Sequence, residues 1–280
     1  MTGIEATNLS KRFGDVVAVE SLSFGVAPGE VVGLLGANGA GKTTTMRMIL
    51  GLLSPTEGLV RIGDRPVREV DRRVMGYVPQ GLGLYGDLTV AENLEFAAQA
   101  YGVTPPSLEE LGLASFADRR VSQLSLGLRR RVAFVVARSH DPSVLILDEP
   151  TSGVGPLGRA RLWETIHETA ENGAAVLVST HHMDEAEECH RVVLMVSGRA
   201  VMSGTVTEVV ERFTTVSLSS QVDEEHVGRL RQAGATVLVA HPGWRIVGLS
   251  AADVSRILGS SAGVSESPSS FEEAFVALST

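Results

Sequence analysis

Short apolar runs of strand length alternate with helical periodicity along the first two thirds of the chain. Strands are predicted at residues 4–9, 16–19, 22–26, 31–35, 59–62, 74–78, 144–147, 174–179, 192–196 and 199–202. Helices are predicted at residues 43–50, 90–101, 129–139, 160–171 and 183–189. Buried strands that alternate with helices predict an α/β fold with a parallel sheet and crossover helices.

The pattern changes character twice. Residues 84–143 are mainly helical, with Thr89 and Glu92 spaced as a capping box for the helix at 90–101, and they predict a helical subdomain. Later segments at 216–219, 227–232, 236–240, 245–249 and 254–258 predict a small strand-helix-strand unit, followed by a loop at 263–268 and a helix at 271–278. We therefore predict one domain at residues 1–215 and a small α+β accessory domain at 216–280.

A glycine-rich turn joins the strand at 31–35 to the helix at 43–50. Residues 36–43 have the spacing G-x-x-x-x-G-K-[ST] of a phosphate-binding loop, in which backbone N–H groups and a helix N-terminus face phosphate oxygens. Lys42 would reach the terminal phosphates, and the Thr43 hydroxyl would ligate Mg²⁺. The residues predicted to contact nucleotide are Gly36, Ala37, Asn38, Gly39, Ala40, Gly41, Lys42, Thr43 and Thr44. The alternative is a glycine-rich turn with a chance lysine.

Two acidic residues follow the apolar strand at 144–147. The strand would deliver Asp148 to its carboxyl end, where Mg²⁺ lies beside the phosphates. Glu149 would hold a water in line with the γ-phosphate. Taken alone, the pair is equally well a strand that ends in a polar turn, but a phosphate-binding loop upstream favours the catalytic interpretation.

Three further residues have an order and spacing that fit the same chemistry. Gln80 follows the strand at 74–78 and would contact Mg²⁺ or the attacking water. His181 follows the strand at 174–179 and would contact the γ-phosphate, and Phe13 would stack on adenine. Each of the three taken singly is better explained as an ordinary structural residue, and only their shared order and spacing favour a role in the site.

Composition and charge exclude several classes of protein. The net charge of −9 argues against binding along a nucleic-acid backbone, and the basic run at 129–131 is expected to be a solvated or locally paired helix face. The single cysteine, Cys189, excludes an internal disulfide and is expected to be structural. The first five residues lack the features of a signal peptide, and no apolar run approaches membrane-spanning length, so a cytoplasmic chain is predicted.

In their order, these motifs resemble those of the nucleotide-binding subunit of ATP-binding-cassette (ABC) transporters over roughly residues 3–212. The resemblance rests on Phe13, the loop at 36–43, Gln80 in Tyr77-Val78-Pro79-Gln80, a signature-like Leu124-Ser125-Leu126-Gly127-Leu128, Asp148-Glu149, and His181 in Ser179-Thr180-His181. The stretches at 180–187 and 268–278 and the hairpin at Gly198 resemble the subgroup that pairs with type-2 exporter permeases, including drug and polysaccharide exporters.

The resemblance implies a P-loop NTPase fold: a RecA-like core sheet, an antiparallel β subdomain and the helical subdomain. It implies an ATPase with ATP and Mg²⁺ as ligands, in which Glu149, His181 and Gln80 are catalytic. The implied metal ligands are Thr43, Gln80 and Asp148. It also implies a dimer that sandwiches two ATP molecules, each held by the loop of one subunit and by Ser125 and Gly127 of the other. The implied partner is an integral membrane permease, contacted near Gln80 from the cytoplasmic face of the membrane.

Two positions depart from the family pattern. Leu126 replaces a signature glycine, where a side chain is expected to cost packing or dihedral strain, and Gly155 replaces an aspartate that crosses the dimer interface. Both altered residues would serve the opposite subunit's ATP, whereas the residues for this chain's own ATP are intact. We hypothesise an asymmetric dimer with a different ATP-binding subunit; the alternative is a homodimer with reduced turnover.

Two other classes of protein stay open. A soluble cassette ATPase that acts on ribosomes or DNA usually has two cassettes or a basic surface, whereas this chain has one cassette and is acidic. A regulatory subunit that hydrolyses ATP weakly is disfavoured by the intact Glu149 but is kept open by Leu126 and Gly155.

Overall fold

The computed structural model describes residues 3–219, 222–240, 243–260 and 263–279. Met1 and Thr2, part of the segment assessed for a signal peptide, lie outside these ranges. The strands are β1 (Ile4–Phe13), β2 (Val16–Val26), β3 (Val31–Leu35), β4 (Glu57–Ile62), β5 (Arg65–Pro66), β6 (Met75–Val78), β7 (Val144–Asp148), β8 (Ala175–Thr180), β9 (Arg191–Val196), β10 (Arg199–Gly204), β11 (Thr215–Leu218), β12 (Thr236–Ala240), β13 (Gly243–Val247) and β14 (Val264–Ser267). The α-helices are α1 (Lys42–Ile49), α2 (Val90–Tyr101), α3 (Leu126–Arg138), α4 (Pro156–Glu171), α5 (Val206–Val210), α6 (Glu224–Gln232), α7 (Ala251–Leu258) and α8 (Phe271–Ser279).

A six-stranded sheet in the order β10-β9-β3-β8-β7-β6 carries the predicted motifs. Strands β9, β3, β8, β7 and β6 run parallel, and every residue of β3, β7 and β8 is buried, as their apolar sequences predict. Pairing of Leu35 with Thr180 and of Asp148 with Ser179 brings the carboxyl ends of β3, β8 and β7 to one edge. The predicted α/β fold is confirmed, and its sheet places the phosphate-binding loop and both acids together.

An antiparallel sheet in the order β2-β1-β4-β5 packs on α1. The two strands predicted at 16–19 and 22–26 are in fact the single strand β2, so the predicted break is wrong. The pairing of β2 with β1 shifts register between Leu22 and Val19, and Ser21 adopts a left-handed backbone there, φ 48°, so the strand continues through a bulge. A β-bulge of this kind interrupts the apolar alternation without ending the pairing.

Residues 84–143 contain two α-helices whose ends are set by capping. The predicted capping box is confirmed: Glu92 N–H donates to Thr89 Oγ1 at 3.2 Å, and Thr89 N–H donates to Glu92 Oε2 at 2.7 Å. Helix α3 begins at Leu126, earlier than the predicted residue 129, because Ser125 serves as its N-cap. Buried Leu94 and Val132 belong to a separate apolar cluster that holds this helical region together.

The segment predicted as a helix at 183–189 is a 3₁₀ helix, Met183–Glu188. Its backbone hydrogen bonds span three residues, as from Glu185 N–H to the His182 carbonyl oxygen and from Cys189 N–H to the Ala186 carbonyl oxygen. Cys189 is buried at its end, and burial raises the pKa of the thiol to about 12, so the thiol is neutral and structural. Among the described residues, none of the helices is both long enough and apolar enough to cross a membrane.

Two compact units are present, Met1–Ala200 and Val201–Thr280, so the division falls earlier than the predicted boundary near 215. Helix α5 accounts for part of this difference because it packs on α8, within the second unit. The second unit has the order β11-α6-β12-β13-α7-β14 and an antiparallel sheet β12-β13-β11-β14, a split βαβ arrangement of the ferredoxin-like type.

The predicted loop at 263–268 is wrong, since it contains strand β14 paired with β11. The sequence Val-Ser-Glu-Ser of β14 has no apolar alternation, and its pairing comes from the backbone of β11. A buried apolar cluster that includes Val216, Leu230, Ile246 and Val254 forms the core of this unit.

Candidate nucleotide-binding and hydrolysis site

Glycines at both ends of the loop at residues 36–41 allow a backbone that a side chain would disturb. A Cβ at Gly36 would lie 2.4 Å from the Met195 carbonyl oxygen, and Gly41 has φ 101° at the start of α1. Gly41 offers no side chain to cap the helix, so the first turn of α1 presents its N–H groups to an external acceptor. Ala37, Asn38 and Gly39 form an exposed tip.

Lys42 is buried at the base of this loop. Its Nζ donates to the carbonyl oxygens of Gly36, at 2.7 Å, and Ala37, at 3.1 Å. Burial lowers the pKa of Lys42, and the nearby carboxylates of Glu149 and Asp148 oppose that shift. The ammonium therefore lies in the cradle, within reach of an anion bound to the loop.

Thr43 and Asp148 meet across the edge of the sheet. Thr43 Oγ1 donates to Asp148 Oδ2 at 3.0 Å, and Ser179 Oγ donates to Asp148 Oδ1 at 2.6 Å. A hydroxyl and a carboxylate are oxygen donors of the kind that Mg²⁺ selects beside phosphates, so this pair fits the predicted metal. Both residues are where the sequence predicted them, on α1 and at the end of β7.

The Glu149 carboxylate lies between the two other predicted catalytic side chains. Its Oε1 is 3.0 Å from His181 Nδ1, and its Oε2 accepts a hydrogen bond from Gln80 Nε2 at 3.2 Å. Glu149 is 7% exposed, whereas Gln80 is exposed and His181 is half-buried. The two partners of the carboxylate therefore lie on its solvent side. The structure thus brings together three residues from distant parts of the chain.

The remaining predicted residues lie apart from this cluster. Phe13 is 50% exposed at the end of β1, where Lys11 Nζ lies 5.2 Å from its ring centroid. Ser125 is exposed and caps α3 through a bond from Leu128 N–H, and Gly127 lies in the first turn of that helix. Within the part of the chain that the structure describes, no hydrogen bond joins these three residues to Glu149.

Two further residues contact the acidic pair, and the sequence did not single them out. Ser179 Oγ accepts a hydrogen bond from Glu149 N–H at 3.0 Å while it donates to Asp148, so this hydroxyl aligns both acids. Arg130 is 6% exposed, and its Nη1 donates to the Glu149 carbonyl oxygen at 2.6 Å. Ser179 could have been found as a serine that follows four apolar residues in β8. Nothing in the arginine run indicates that Arg130 is the buried residue.

The residues that depart from the family pattern cause little local strain. Leu126 is the first residue of α3 and has its helical backbone, so the expected dihedral strain is not found there. Its side chain packs beside Gly153. Gly155 precedes α4 as an N-cap without a side-chain bond, and a Cβ built there has no neighbour within 4 Å.

A glycine-lined loop between β3 and α1, an Asp-Glu pair at the end of β7 and a histidine after β8 define a P-loop nucleotide-binding cassette. The sequence profile described as "ABC transporter" matches residues 19–152. A probable multidrug ABC transporter ATP-binding protein, YbhF of Escherichia coli (strain K12), is 43% identical over 73% of this chain and 37% of its own length. Nod factor export ATP-binding protein I of Paraburkholderia xenovorans (strain LB400) is 43% identical over 74% of this chain and 72% of its own length.

Solved structures of ABC transporter ATP-binding cassettes are also similar to this chain. One described as the ATP binding subunit of an ABC transporter superposes with a TM-score of 0.69 at 32% identity, over 75% of this chain and 92% of its own length. The dimeric bacterial ABC transporter cassette MJ0796 has a TM-score of 0.64 at 27% identity, over 72% of this chain and 98% of its own length. The chain therefore belongs to the ATP-binding subunits of the ABC transporter family.

Proposed function

We propose that this chain hydrolyses ATP and thereby energises a membrane permease that works as an exporter. The observation that carries the proposal is the Glu149 carboxylate, held between His181 at 3.0 Å and Gln80 at 3.2 Å. A carboxylate held in this position can serve as a general base for water. Export is supported by the relatives, which are named for multidrug transport and Nod factor export.

Each predicted residue has a role in this proposal. The phosphates of ATP lie on the loop at residues 36–44, where Lys42 exchanges its carbonyl partners for phosphate oxygens. Thr43, Asp148 and Gln80 would hold Mg²⁺, which would supply positive charge beside the phosphates. Glu149 orients the attacking water and accepts its proton, while His181 contacts the γ-phosphate.

Adenine stacks on Phe13, whose ring is half exposed and therefore accessible to a base. Ser125 and Gly127, at the start of α3, serve ATP that is bound by a second cassette. A dimer is supported by a structural relative described as dimeric. Because Leu126 and Gly155 alter only the part that would serve the partner's ATP, we propose that the second cassette is a different subunit.

The number of copies per transporter tests the asymmetric dimer. Native mass spectrometry of the detergent-extracted complex is expected to find one copy of this chain together with one different cassette. Two copies would contradict asymmetry and would support the homodimer with reduced turnover.

The permease is proposed to dock on the helical region beside Gln80, with the chain peripheral at the cytoplasmic face of the membrane. Tyr85 and Phe96 are 53% and 51% exposed there, and their rings meet edge to face at a centroid distance of 4.9 Å. Exposed aromatic pairs are typical of protein interfaces. The variant Tyr85→Ala/Phe96→Ala is expected to lose co-purification with the permease but keep nucleotide binding.

Mg²⁺-dependent ATP hydrolysis, measured with and without the co-purified permease, tests the proposed function. We expect hydrolysis that the permease stimulates. Tight ATP binding without hydrolysis in either condition would instead identify a regulatory nucleotide-binding subunit. Co-sedimentation with ribosomes, without a membrane partner, would identify a soluble cassette ATPase.

A further inference from the structure

The basic run at residues 129–131 does not form a uniform solvated face. Arg130 is almost fully buried, and its Nη1 donates to the Glu149 carbonyl oxygen at 2.6 Å. Arg131, the next residue on the same helix, instead donates to the carbonyl oxygen of Leu111, within the helical region. Burial lowers the pKa of Arg130, and the charges of Glu149 and Glu185 oppose that shift. Arg130 is therefore buried against the candidate site, whereas Arg131 is not.

Arg130 contacts the backbone of Glu149, the residue whose carboxylate must be correctly placed for hydrolysis. Glu149 has φ 51°, a left-handed conformation that is strained for a residue with a side chain. Such a conformation persists when its surroundings hold it. The Glu149 N–H donates to Ser179 Oγ at 3.0 Å, and its carbonyl accepts from Arg130 and, at 3.3 Å, from Ser152 N–H.

The carboxylate direction depends on that backbone. With the N–H fixed by strand β8 and the carbonyl fixed by helix α3, the Glu149 side chain projects toward Gln80 and His181. Removing the guanidinium would leave the carbonyl with only the longer hydrogen bond from Ser152 N–H, while the N–H side stays unchanged. An error of about 1 Å in a reacting group can cost about a hundredfold in rate.

We propose that Arg130 is a positioning residue for Glu149: through the carbonyl it holds the left-handed turn that aims the carboxylate at the attacking water. This inference rests on the proposed function, since it assigns a part in ATP hydrolysis. Arg130 touches neither nucleotide nor metal in this role. The same helix begins at Ser125, so the positioning group is carried by the element that starts with the signature-like motif.

Three variants of the full chain test the proposal: Arg130→Gln, Arg130→Lys and the matched control Arg131→Gln. We expect Arg130→Gln to lower kcat about 10- to 100-fold while KM for MgATP changes less than about twofold. Arg130→Lys should recover part of the loss, because its ammonium can still donate to the carbonyl. Arg131→Gln should keep kcat within about twofold, since its carbonyl partner lies outside the site.

Nucleotide affinity and thermal stability separate positioning from a purely structural role. ATP binding is measured in a Glu149→Gln background, where Arg130→Gln should leave Kd within about twofold. A kcat for Arg130→Gln within twofold of wild type overturns the proposal. A loss of ATP affinity as large in fold terms as the loss of kcat, together with a lowered Tm, also overturns it. So does an Arg130→Lys variant whose kcat is no higher than that of Arg130→Gln. Absence of hydrolysis in the wild-type protein would instead refute the proposed function, so the two failures are distinguishable.

Discussion

Leu126 Cδ2 occupies the space that a side chain at Gly153 would need. A Cβ at Gly153 would lie only 2.6 Å from that methyl group, and Gly153 has φ 73°. The residue that replaces a signature glycine is therefore packed against the loop that follows Glu149. Helix α3 thus meets this loop at two places, through Leu126 to Gly153 and through Arg130 to Glu149.

Gly153→Ala is expected to destabilise the chain by roughly 1–3 kcal/mol, because the new methyl group must displace the Leu126 side chain in addition to the strain of a positive φ. Urea denaturation measures the change. Gly173→Ala is the matched control, since Gly173 has φ 98° but a Cβ there has no neighbour within 4 Å. In a Leu126→Gly background, the cost of Gly153→Ala should fall to that of the control; equal costs in both backgrounds would contradict the contact.

Lys42→Ala is expected to weaken ATP binding about 10- to 100-fold, because it removes a charge-assisted contact to the phosphates worth about 1.5–3 kcal/mol. Fluorescence titration with a labelled ATP analogue measures the loss. Arg68→Ala, which removes an exposed cation that takes no part in the proposed site, is the control and should leave affinity within about threefold. Unchanged affinity in Lys42→Ala would mean that the glycine-rich loop does not hold nucleotide.

Glu149→Gln is expected to lower ATP hydrolysis about 100- to 10,000-fold, the range that a general base contributes, while ATP binding is retained. The amide keeps the size of the side chain and can still face Gln80, but it cannot accept the proton of water. Phosphate release under saturating MgATP measures the loss, and exposed Glu187→Gln serves as the control. Hydrolysis at the wild-type rate would remove Glu149 from the mechanism.

The Arg245–Glu273 pair predicts a pH dependence in the second unit. Burial raises the pKa of Glu273, but hydrogen bonds from Arg245 and from Ser270 N–H outweigh it, and the net pKa is lowered. A lowered pKa in the folded state stabilises the unit above the unfolded-state value of about 4.3, and this stabilisation is lost as pH falls through the folded-state pKa.

Glu273→Gln should therefore cost about 1 kcal/mol at neutral pH, the value for a partly screened pair, and nothing at the acidic end. Hydrogen exchange of β13 and α8 amides, compared across pH with exposed Glu272→Gln, measures the difference. A cost that stays constant with pH would show that packing, and not charge, holds the two residues together.

The sequence predicted the core of the site because its motifs are local. The loop before α1 and the acids after β7 follow from short spacings, and the sheet then brings their strand ends together. Elements that depend on distant partners were predicted less well. Strand β14 is polar and is defined by pairing with β11, and β2 passes through a bulge at Ser21 that looks like a break. Arg130 is a similar case, since a run of three arginines does not reveal which one is buried against Glu149.

The first and last strands of the second unit lie side by side, with Thr215 paired to Ser267. The polypeptide thus begins and finishes this small sheet at one point, as in domains that evolution inserts, swaps or discards whole. Because Thr215 and Ser267 pair, the segment between them enters and leaves the sheet at neighbouring positions. A replacement segment whose own ends lie equally close could therefore be joined at these two residues without separating them.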